Sequence, residues 1–338
     1  MKIIEFGKDD EGDRVKRMKI LEFDRGRQPE RDRGHPRKSR EDTPPHTPGG
    51  RTSEVSEKKI LEGGSGPVRA DEIFLLDYGW LGGDIGWFLP GAAGCALTFS
   101  EKNPPRRWVE IPISGVVVKH PHGNVLFDAG ISPDAMETHE QGLMEAFPIV
   151  RMAANNRIEN QLRNCGMEPK DIHFIVISHL HLDHIGQLGI FRQFDTPIIV
   201  QKRELESALY LLWQNKGGAY DFADLGALRG AAWAPIDDRR LELLDGVVVE
   251  WTGGHTAGHQ VMHVATQSGN HYTFTGDYLH LPEEYELEAK GWLLGDAEEW
   301  HAYIRKLKLM QKARRSSLVM GHDPDLWNKF PVAPASLK

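Results

Sequence analysis

Short apolar runs alternate with helical patterns from Ile73 to the end of the chain. The run Phe174–Ile177 is apolar throughout, as expected of a strand covered on both faces. A helix with Ile158 and Leu162 on one face ends near Gly166, and Asp296 with Glu299 forms the capping signature of another helix. Further strands are predicted at Ile73–Leu76, Ile111–Lys119, Asn124–Phe127, Pro197–Val200, Val247–Trp251 and Ser317–Met320. Interleaved strands and helices predict a layered α/β architecture.

The first 70 residues have a different composition from the rest. Between Arg25 and Lys59 only Val55 is apolar, so this segment cannot bury a core and is predicted to be disordered. We therefore predict a largely disordered N-terminal extension over residues 1–70 and one globular domain over residues 71–338. The extension has 17 Lys and Arg and 14 Asp and Glu, which is a net charge of +3. Because the whole chain has a net charge of −8, the domain has a net charge of −11.

Composition and charge exclude several classes of protein. An acidic domain argues against a nucleic-acid partner, because such proteins meet phosphate with a basic face. Two cysteines, Cys95 and Cys165, cannot cross-link a scaffold of 338 residues, and no run of apolar residues is long enough to span a membrane. The N-terminus lacks the apolar core of a signal peptide. These observations predict a cytoplasmic protein without a nucleic-acid or membrane partner.

The candidate chemistry begins directly after the buried strand at Phe174–Ile177. His179, His181, Asp183 and His184 follow within a few residues, and the ends of strands are where α/β folds hold functional side chains rigidly. Imidazole and carboxylate ligands suit Zn²⁺, Fe²⁺ or Mn²⁺. Surface histidines after a core strand are the structural alternative.

Three further strand ends finish in side chains that can bind metal. His255 and His259 lie in a glycine-rich turn after Val247–Trp251, Asp277 ends the strand that contains Thr273 and Phe274, and His322 follows the last strand. Taken singly, a strand-end aspartate is more often a turn former. Four strand ends with the same property predict one shared metal site.

These motifs resemble the metallo-β-lactamase superfamily over roughly residues 71–338, and within it the N-acyl-homoserine lactone lactonases. The resemblance implies an αββα sandwich and two divalent metal ions, with zinc favoured and iron, manganese or cobalt as alternatives. By position, Asp277 bridges the two metals, Asp128 supports the ligand loop, and His259 is structural. One metal is then held by His179, His181 and His255, and the other by Asp183, His184 and His322.

The resemblance also implies a reaction, in which a metal-bridging hydroxide attacks and opens the lactone ring of an acyl-homoserine lactone. Asp183 would orient the nucleophile and accept its proton. Lactonases of this type commonly have a tyrosine three residues after the bridging aspartate, whereas this chain has His280 there and Tyr278 next to Asp277. Either His280 donates a proton to the leaving alkoxide, or the substrate differs. Tyr278 and His280 are both predicted to bind the substrate.

The substrate wall is predicted from aromatic residues. The segment from Tyr78 to Leu89 is rich in glycine and aromatic residues, which predicts a loop in which Trp80, Trp87 and Phe88 contact an acyl chain. A second aromatic stretch runs from Tyr210 to Trp233. Both sets of aromatic residues are equally consistent with packing over the core or with a homodimer contact.

Other functions stay open at this stage. The same dinuclear site would serve a pyridoxolactone-type lactone, a thioester as in glyoxalase II, or a phosphoester, and a non-catalytic metal-binding module is a further alternative. The charge of −11 disfavours a nuclease. A flavodiiron-type redox enzyme would have Glu at the position of His181.

Overall fold

The structure, a computed structural model, describes residues 68–90 and 107–338 and two short segments, 6–8 and 14–16. The chain divides into two units, Met1–Glu62 and Gly63–Lys338. In the first unit, strand β1 (Phe6–Lys8) pairs antiparallel with strand β2 (Arg14–Lys16). The predicted disorder from Arg25 to Lys59 and the residue Cys95 lie outside the described residues. The division into an extension and a domain after residue 70 stays a prediction.

The second unit contains two sheets. The larger is a seven-stranded mixed sheet. Its strands lie side by side in the order β6 (Ile149–Arg151), β3 (Glu72–Asp84), β4 (Trp108–Lys119), β5 (Asn124–Phe127), β7 (Ile172–Val176), β8 (Ile198–Gln201) and β9 (Trp233–Ile236). The last three pairings, β5 with β7, β7 with β8 and β8 with β9, are parallel. The smaller, five-stranded sheet follows chain order, with β10 (Arg240–Leu244), β11 (Val247–Trp251), β12 (Gln260–Ala265), β13 (His271–Phe274) and β14 (Ser317–Val319).

The described residues also form helices, the longest of which cover the outer faces of the two sheets. They are α1 (Ala135–Thr138), α2 (Gln141–Ala146), α3 (Ile158–Asn164), α4 (Leu182–Ile185), α5 (Lys202–Trp213), α6 (Phe222–Ala227), α7 (Pro282–Leu287), α8 (Ala297–Arg314) and α9 (Leu326–Lys329). Among the described residues, no helix is both long enough and apolar enough to cross a membrane.

The core has three layers, which follow from the alternation of side chains along each strand. Val116 and Val118 of β4 face the other sheet and pack in one cluster with Val249 and Met262. Val117, between them, faces the opposite way into a cluster that includes α3 and α5 residues. A third cluster packs α8, through Trp300 and its neighbours, on the outer face of the smaller sheet. The predicted αββα sandwich is confirmed.

The strand β3 is much longer than predicted. Ile73–Leu76 was expected to end before a loop from Tyr78 to Leu89, but β3 continues to Asp84 and is followed by a short 3₁₀ turn at Ile85–Trp87. The loop prediction is wrong because the glycines from Gly79 to Gly83 are part of the strand. Gly79 has φ +106°, and a Cβ there would lie 2.5 Å from the carbonyl oxygen of Arg151, so it forms a bulge that only glycine fits.

The predicted C-terminal glycine of α3 is confirmed, and the predicted capping box of α8 is confirmed in part. Gly166, with φ +69°, follows the end of α3. Asp296 caps α8 by accepting a hydrogen bond from the backbone N–H of Glu299 at 2.8 Å. The carboxylate of Glu299 accepts instead from the backbone N–H of Gly254, 3.2 Å away, so the reciprocal half of the capping box is replaced by a tie to the turn that carries His255.

Candidate metal centre and active-site cavity

All seven predicted metal ligands meet at one end of the sandwich. His179 and His181 lie in the loop after β7, and Asp183 and His184 are on α4, which begins directly after His181. The remaining three follow strands of the smaller sheet: His255 lies between β11 and β12, Asp277 in a 3₁₀ turn after β13, and His322 after β14. Strand ends of both sheets therefore supply the site.

Four of these side chains form one group whose ligand atoms lie within 4.8 Å of one another: His179, His181, His255 and Asp277. The Nε2 atom of His255 is 3.1 Å from both His179 Nε2 and His181 Nδ1. Asp277 Oδ2 is 3.5 Å from His179 Nε2 and 3.4 Å from His255 Nε2.

Asp183, His184 and His322 form a second group of the same kind. Asp277 Oδ1 is 3.0 Å from both His184 Nε2 and His322 Nε2. Because Oδ2 faces the first group and Oδ1 the second, the carboxylate of Asp277 lies between the two groups.

The protonation states of the first ligand group fit metal binding. Burial lowers the pKa of His181 to about 4, against the opposing charges of Asp277 and Asp183. Burial likewise places the pKa values of His179 and His255 well below the usual range. Burial alone would raise the pKa of Asp277, but the surrounding histidines, His280 foremost, hold it well below the usual range. Neutral imidazoles around an ionised carboxylate are the forms that coordinate cations. In the second ligand group, burial alone would lower the pKa values of His184 and His322, but the nearby carboxylates, Asp277 foremost, raise them.

Two of the buried polar atoms that lack a hydrogen-bond partner belong to this cluster. Although His184 Nε2 and Asp277 Oδ1 lie 3.0 Å apart, neither makes a hydrogen bond of acceptable geometry within the described residues. Leaving such atoms unpaired costs free energy. A pair of divalent cations would satisfy both atoms, so the donor set fits the metals that the motifs imply.

Hydrogen bonds from the far side of the rings orient the ligands. His184 Nδ1 is 2.8 Å from Asp128 Oδ2, His255 Nδ1 is 2.8 Å from the carbonyl oxygen of Leu293, and His322 Nδ1 is 2.7 Å from that of Pro112. Donation from Nδ1 leaves the Nε2 lone pair for a metal. Asp128 also accepts from the backbone N–H and the hydroxyl of Ser178, at 2.7 and 2.8 Å, so it lies where the predicted support of the ligand loop requires.

Sequence reasoning missed Glu204, which joins two ligand loops. This fully buried residue of α5 accepts hydrogen bonds from the backbone N–H groups of Leu180 and Gly258, at 3.0 and 2.8 Å, and from the hydroxyl of Tyr220 at 2.9 Å. The ring of Tyr220 in turn packs on His181. One sequence offers no signal for these contacts, since a glutamate early in a helix is ordinary.

His280 lies beside both ligand groups. Its Nε2 atom is 3.0 Å from Asp277 Oδ2, and its ring stacks on that of His322. Its Nδ1 atom is 2.9 Å from Lys290 Nζ and 3.1 Å from Glu284 Oε1. Burial lowers the pKa of Lys290, whereas the charges of Glu284 and Asp277 act in the opposite direction. Neither Lys290 nor Glu284 was singled out from the sequence.

A small cavity of about 30 Å³ opens onto this cluster. Its polar base consists of His181, Asp183, Asp277, His280 and His322. Its walls are apolar, with Leu81, Phe88, Ile111, Phe147, Leu182, Ala219 and Leu293. A polar reacting group at the base and an apolar chain along the walls would match this division.

The predicted substrate residues are only partly brought together. Phe88 lines the cavity and packs edge-on against His280, with ring centroids 5.1 Å apart. Trp87 packs behind the wall on Phe147, and Trp80 lies under the guanidinium of Arg151. Tyr278 points the other way, because its buried hydroxyl donates to the carbonyl oxygen of Trp300 at 2.5 Å. The structure thus directs Tyr278 into the core beneath α8 and not toward the cavity.

The second aromatic stretch does not form a wall either. Of its members only Tyr220 lies near the site, whereas Tyr210 and Trp213 on α5 are 62% and 84% exposed. A homodimer contact through these side chains stays a prediction, and so does the cytoplasmic location.

Proteins of similar sequence agree with the geometry of the site. An N-acyl homoserine lactonase from Bacillus thuringiensis is 29% identical over 257 residues, which cover 73% of this chain and 96% of the relative. The N-acyl homoserine lactonase AttM from Azorhizobium caulinodans is 29% identical over 234 residues, 67% of this chain and 87% of the relative.

Solved structures give the same result. A structure of an N-acyl homoserine lactone hydrolase, with the product N-hexanoyl-L-homoserine bound at its catalytic metal center, superimposes with a TM-score of 0.66 at 26% identity. The match covers 80% of this chain and 100% of that one. The metallo-beta-lactamase superfamily matches residues 109–322, which include every predicted metal ligand. This chain therefore belongs to the metallo-beta-lactamase superfamily.

Proposed function

We propose that this protein is a metal-dependent lactonase that opens the ring of N-acyl-homoserine lactones. The observation that carries the proposal is the position of the two ligand groups at the polar base of an otherwise apolar cavity. An acyl lactone has the matching division into a polar ring and an apolar chain. The similar proteins named above, which are themselves lactonases, support the same assignment.

Two divalent cations would be held, one by His179, His181 and His255, the other by Asp183, His184 and His322, with Asp277 between them. Zinc is favoured because imidazole and carboxylate are its common ligands. Such cations, when bound, lower the pKa of coordinated water and polarise an ester carbonyl.

The chain's own side chains would complete the reaction. Asp183 lines the cavity, and its carboxylate would orient the attacking water and accept its proton. On the other side of the base, His280 Nε2 would donate a proton to the alkoxide that leaves when the ring opens. The apolar walls exclude bulk water, which strengthens these interactions.

The proposal is tested by elemental analysis of the purified protein and by proton release on addition of N-hexanoyl- or N-decanoyl-homoserine lactone, with His181→Ala as the control. Two metal equivalents together with acid release that the control lacks would support it. Two equivalents without release from either lactone would overturn the substrate assignment, and thioester, phosphoester and pyridoxolactone-type substrates would be assayed next. A protein that holds no metal after reloading would overturn the site itself.

A further inference from the structure

Lys290 is a buried lysine that the proposed reaction does not use. Its side chain has no solvent-accessible surface. The Nζ atom is 2.7 Å from the carbonyl oxygen of Asp277, 2.9 Å from His280 Nδ1, and 3.3 Å from both the carbonyl oxygen of Tyr278 and Glu284 Oε1. The ammonium group therefore lies directly behind the ring that faces the cavity.

The groups around Lys290 determine which of them donate hydrogen bonds and which accept them. Carbonyl and carboxylate oxygens only accept hydrogen bonds, and an ammonium group only donates them. With Nζ as a donor, His280 Nδ1 must accept, and the single proton of the neutral ring is then on Nε2.

Glu284 offers His280 the opposite arrangement. Its Oε1 atom is 3.1 Å from Nδ1 and would accept a proton from it, which would leave Nε2 as a bare lone pair. Two further hydrogen bonds fix the glutamate, because its Oε2 accepts from the backbone N–H groups of His280 and Leu281, at 2.5 and 3.4 Å. Lys290 and Glu284 thus favour different tautomers of one ring.

The choice of tautomer has a chemical consequence in the cavity. Nε2 is the ring atom that faces the ligand cluster, 3.0 Å from Asp277 Oδ2. Only the Nε2–H tautomer presents a hydrogen-bond donor there. Phe88 packs against the ring and His322 stacks on it, so rotation of the ring is restricted as well.

We propose that Lys290 is a positioning residue that holds His280 as the Nε2–H tautomer and so presents a donor to the oxygen that leaves the opened ring. The identity of that oxygen rests on the proposed function, whereas the tautomer does not depend on the substrate.

The direct test is the nitrogen spectrum of the full-length, zinc-loaded protein labelled with ¹⁵N-histidine. The two tautomers differ in which ring nitrogen carries the proton, and a spectrum of His280→Gln assigns the signals. We expect His280 protonated at Nε2 and bare at Nδ1. A ring protonated at Nδ1 in the wild-type protein would overturn the proposal without any lysine variant.

The variant Lys290→Met removes the donor and keeps the length of the side chain. We expect the His280 proton to move to Nδ1, where Glu284 accepts it, with kcat lowered about 100-fold and KM changed less than about twofold, as for the loss of a positioned acid. Lys306→Met is the matched control, because it also removes a lysine that pairs with a glutamate, Glu250, but outside the cavity.

The double variant Lys290→Met with Glu284→Gln tests the mechanism by rescue. The amide NH₂ of the introduced glutamine can donate to Nδ1 in place of the lysine. We expect the Nε2–H signal to return and kcat to recover to within about tenfold of the wild-type value. A Lys290→Met protein that keeps the Nε2–H tautomer would overturn the inference. The expected tautomers in a protein without lactone turnover would refute the proposed substrate and leave the role of Lys290 in place.

Discussion

Replacement of Glu204 by glutamine perturbs the residue that ties two ligand loops together. Its carboxylate accepts from Leu180, between His179 and His181, and from Gly258, three residues after His255. A Cβ on Gly258 would lie 2.3 Å from Glu204 Cβ, so the backbone there packs directly against the helix. Burial raises the pKa of Glu204, whereas the three donors that converge on its two oxygens favour the ionised, acceptor-only form.

The magnitude follows from the hydrogen bonds that glutamine keeps and loses. The amide oxygen replaces Oε1 and retains the bonds from Leu180 and Tyr220. The amide NH₂ then faces the backbone N–H of Gly258 and cannot accept from it. Loss of one buried hydrogen bond to a charged acceptor costs about 2 to 3 kcal/mol. For a domain of this size the melting temperature should fall by roughly 5 to 10 °C.

The assay compares Glu204→Gln with Glu206→Gln on the same helix, whose carboxylate is exposed and pairs only loosely with Lys202. Thermal unfolding of the metal-loaded protein gives the stability, and competition with a chelator gives the metal affinity. Because the lost bond anchors the loop of His255, the affinity should also fall about tenfold, as when other supporting contacts of ligands are removed.

A melting temperature and a metal affinity equal to those of Glu206→Gln would refute the reasoning, since the loops would then be held without the carboxylate. A lower melting temperature with unchanged affinity would show that Glu204 supports the fold but does not position the ligands.

Four further predictions follow from the structure. Tyr278→Phe should lower stability by about 1 kcal/mol and leave kcat/KM within about twofold of the wild-type value, because its hydroxyl bonds the carbonyl of Trp300 away from the cavity; a loss of turnover without loss of stability would contradict this placement. Phe88→Ala should raise KM more for N-decanoyl- than for N-hexanoyl-homoserine lactone, since the ring lines the apolar wall, and equal increases would argue against that contact. Burial would raise the pKa of Glu250, but hydrogen bonds from His263 and Lys306 lower it to about 2, so its contribution to stability is complete above pH 4.5 and is lost as the pH falls toward 2. Glu250→Gln should accordingly flatten the melting temperature against pH in that window, and an unchanged slope would speak against the ion pair. Removal of metal with a chelator should abolish hydrolysis and lower the melting temperature, because cations that bind only the folded state stabilise it; an apoprotein that melts like the loaded protein would exclude a tight site.

Much of the fold and of the candidate site is predictable because its signals are local. The strand Asn124–Phe127 has the predicted bounds, and the apolar run at Phe174–Ile177 corresponds to β7, which is buried between two layers. The ligand candidates could be named because each follows a strand, and strand ends of a sandwich meet at one end of the fold. The spacing from His179 to His184 is a property of the sequence alone.

The substrate residues could not be predicted in the same way. The sequence does not show whether an aromatic side chain in or after a strand faces the cavity or the core. The bulge at Gly79 shifts the register of β3, and Trp80 and Trp87 lie outside the cavity lining while Phe88 lines it. Tyr278, next to Asp277, is turned into the core by a partner 22 residues away, Trp300.

The sequence by itself determined the α/β layers, and it named the seven candidate metal ligands and His280 three residues after Asp277. Only the tertiary structure decided that Glu204 joins two ligand loops, that Lys290 lies behind His280, and which apolar side chains form the cavity wall. The physical reason is the range of the interactions. Strand patterns and metal motifs depend on residues that are close in the sequence. Hydrogen bonds between loops and the direction of a side chain depend instead on how distant segments pack.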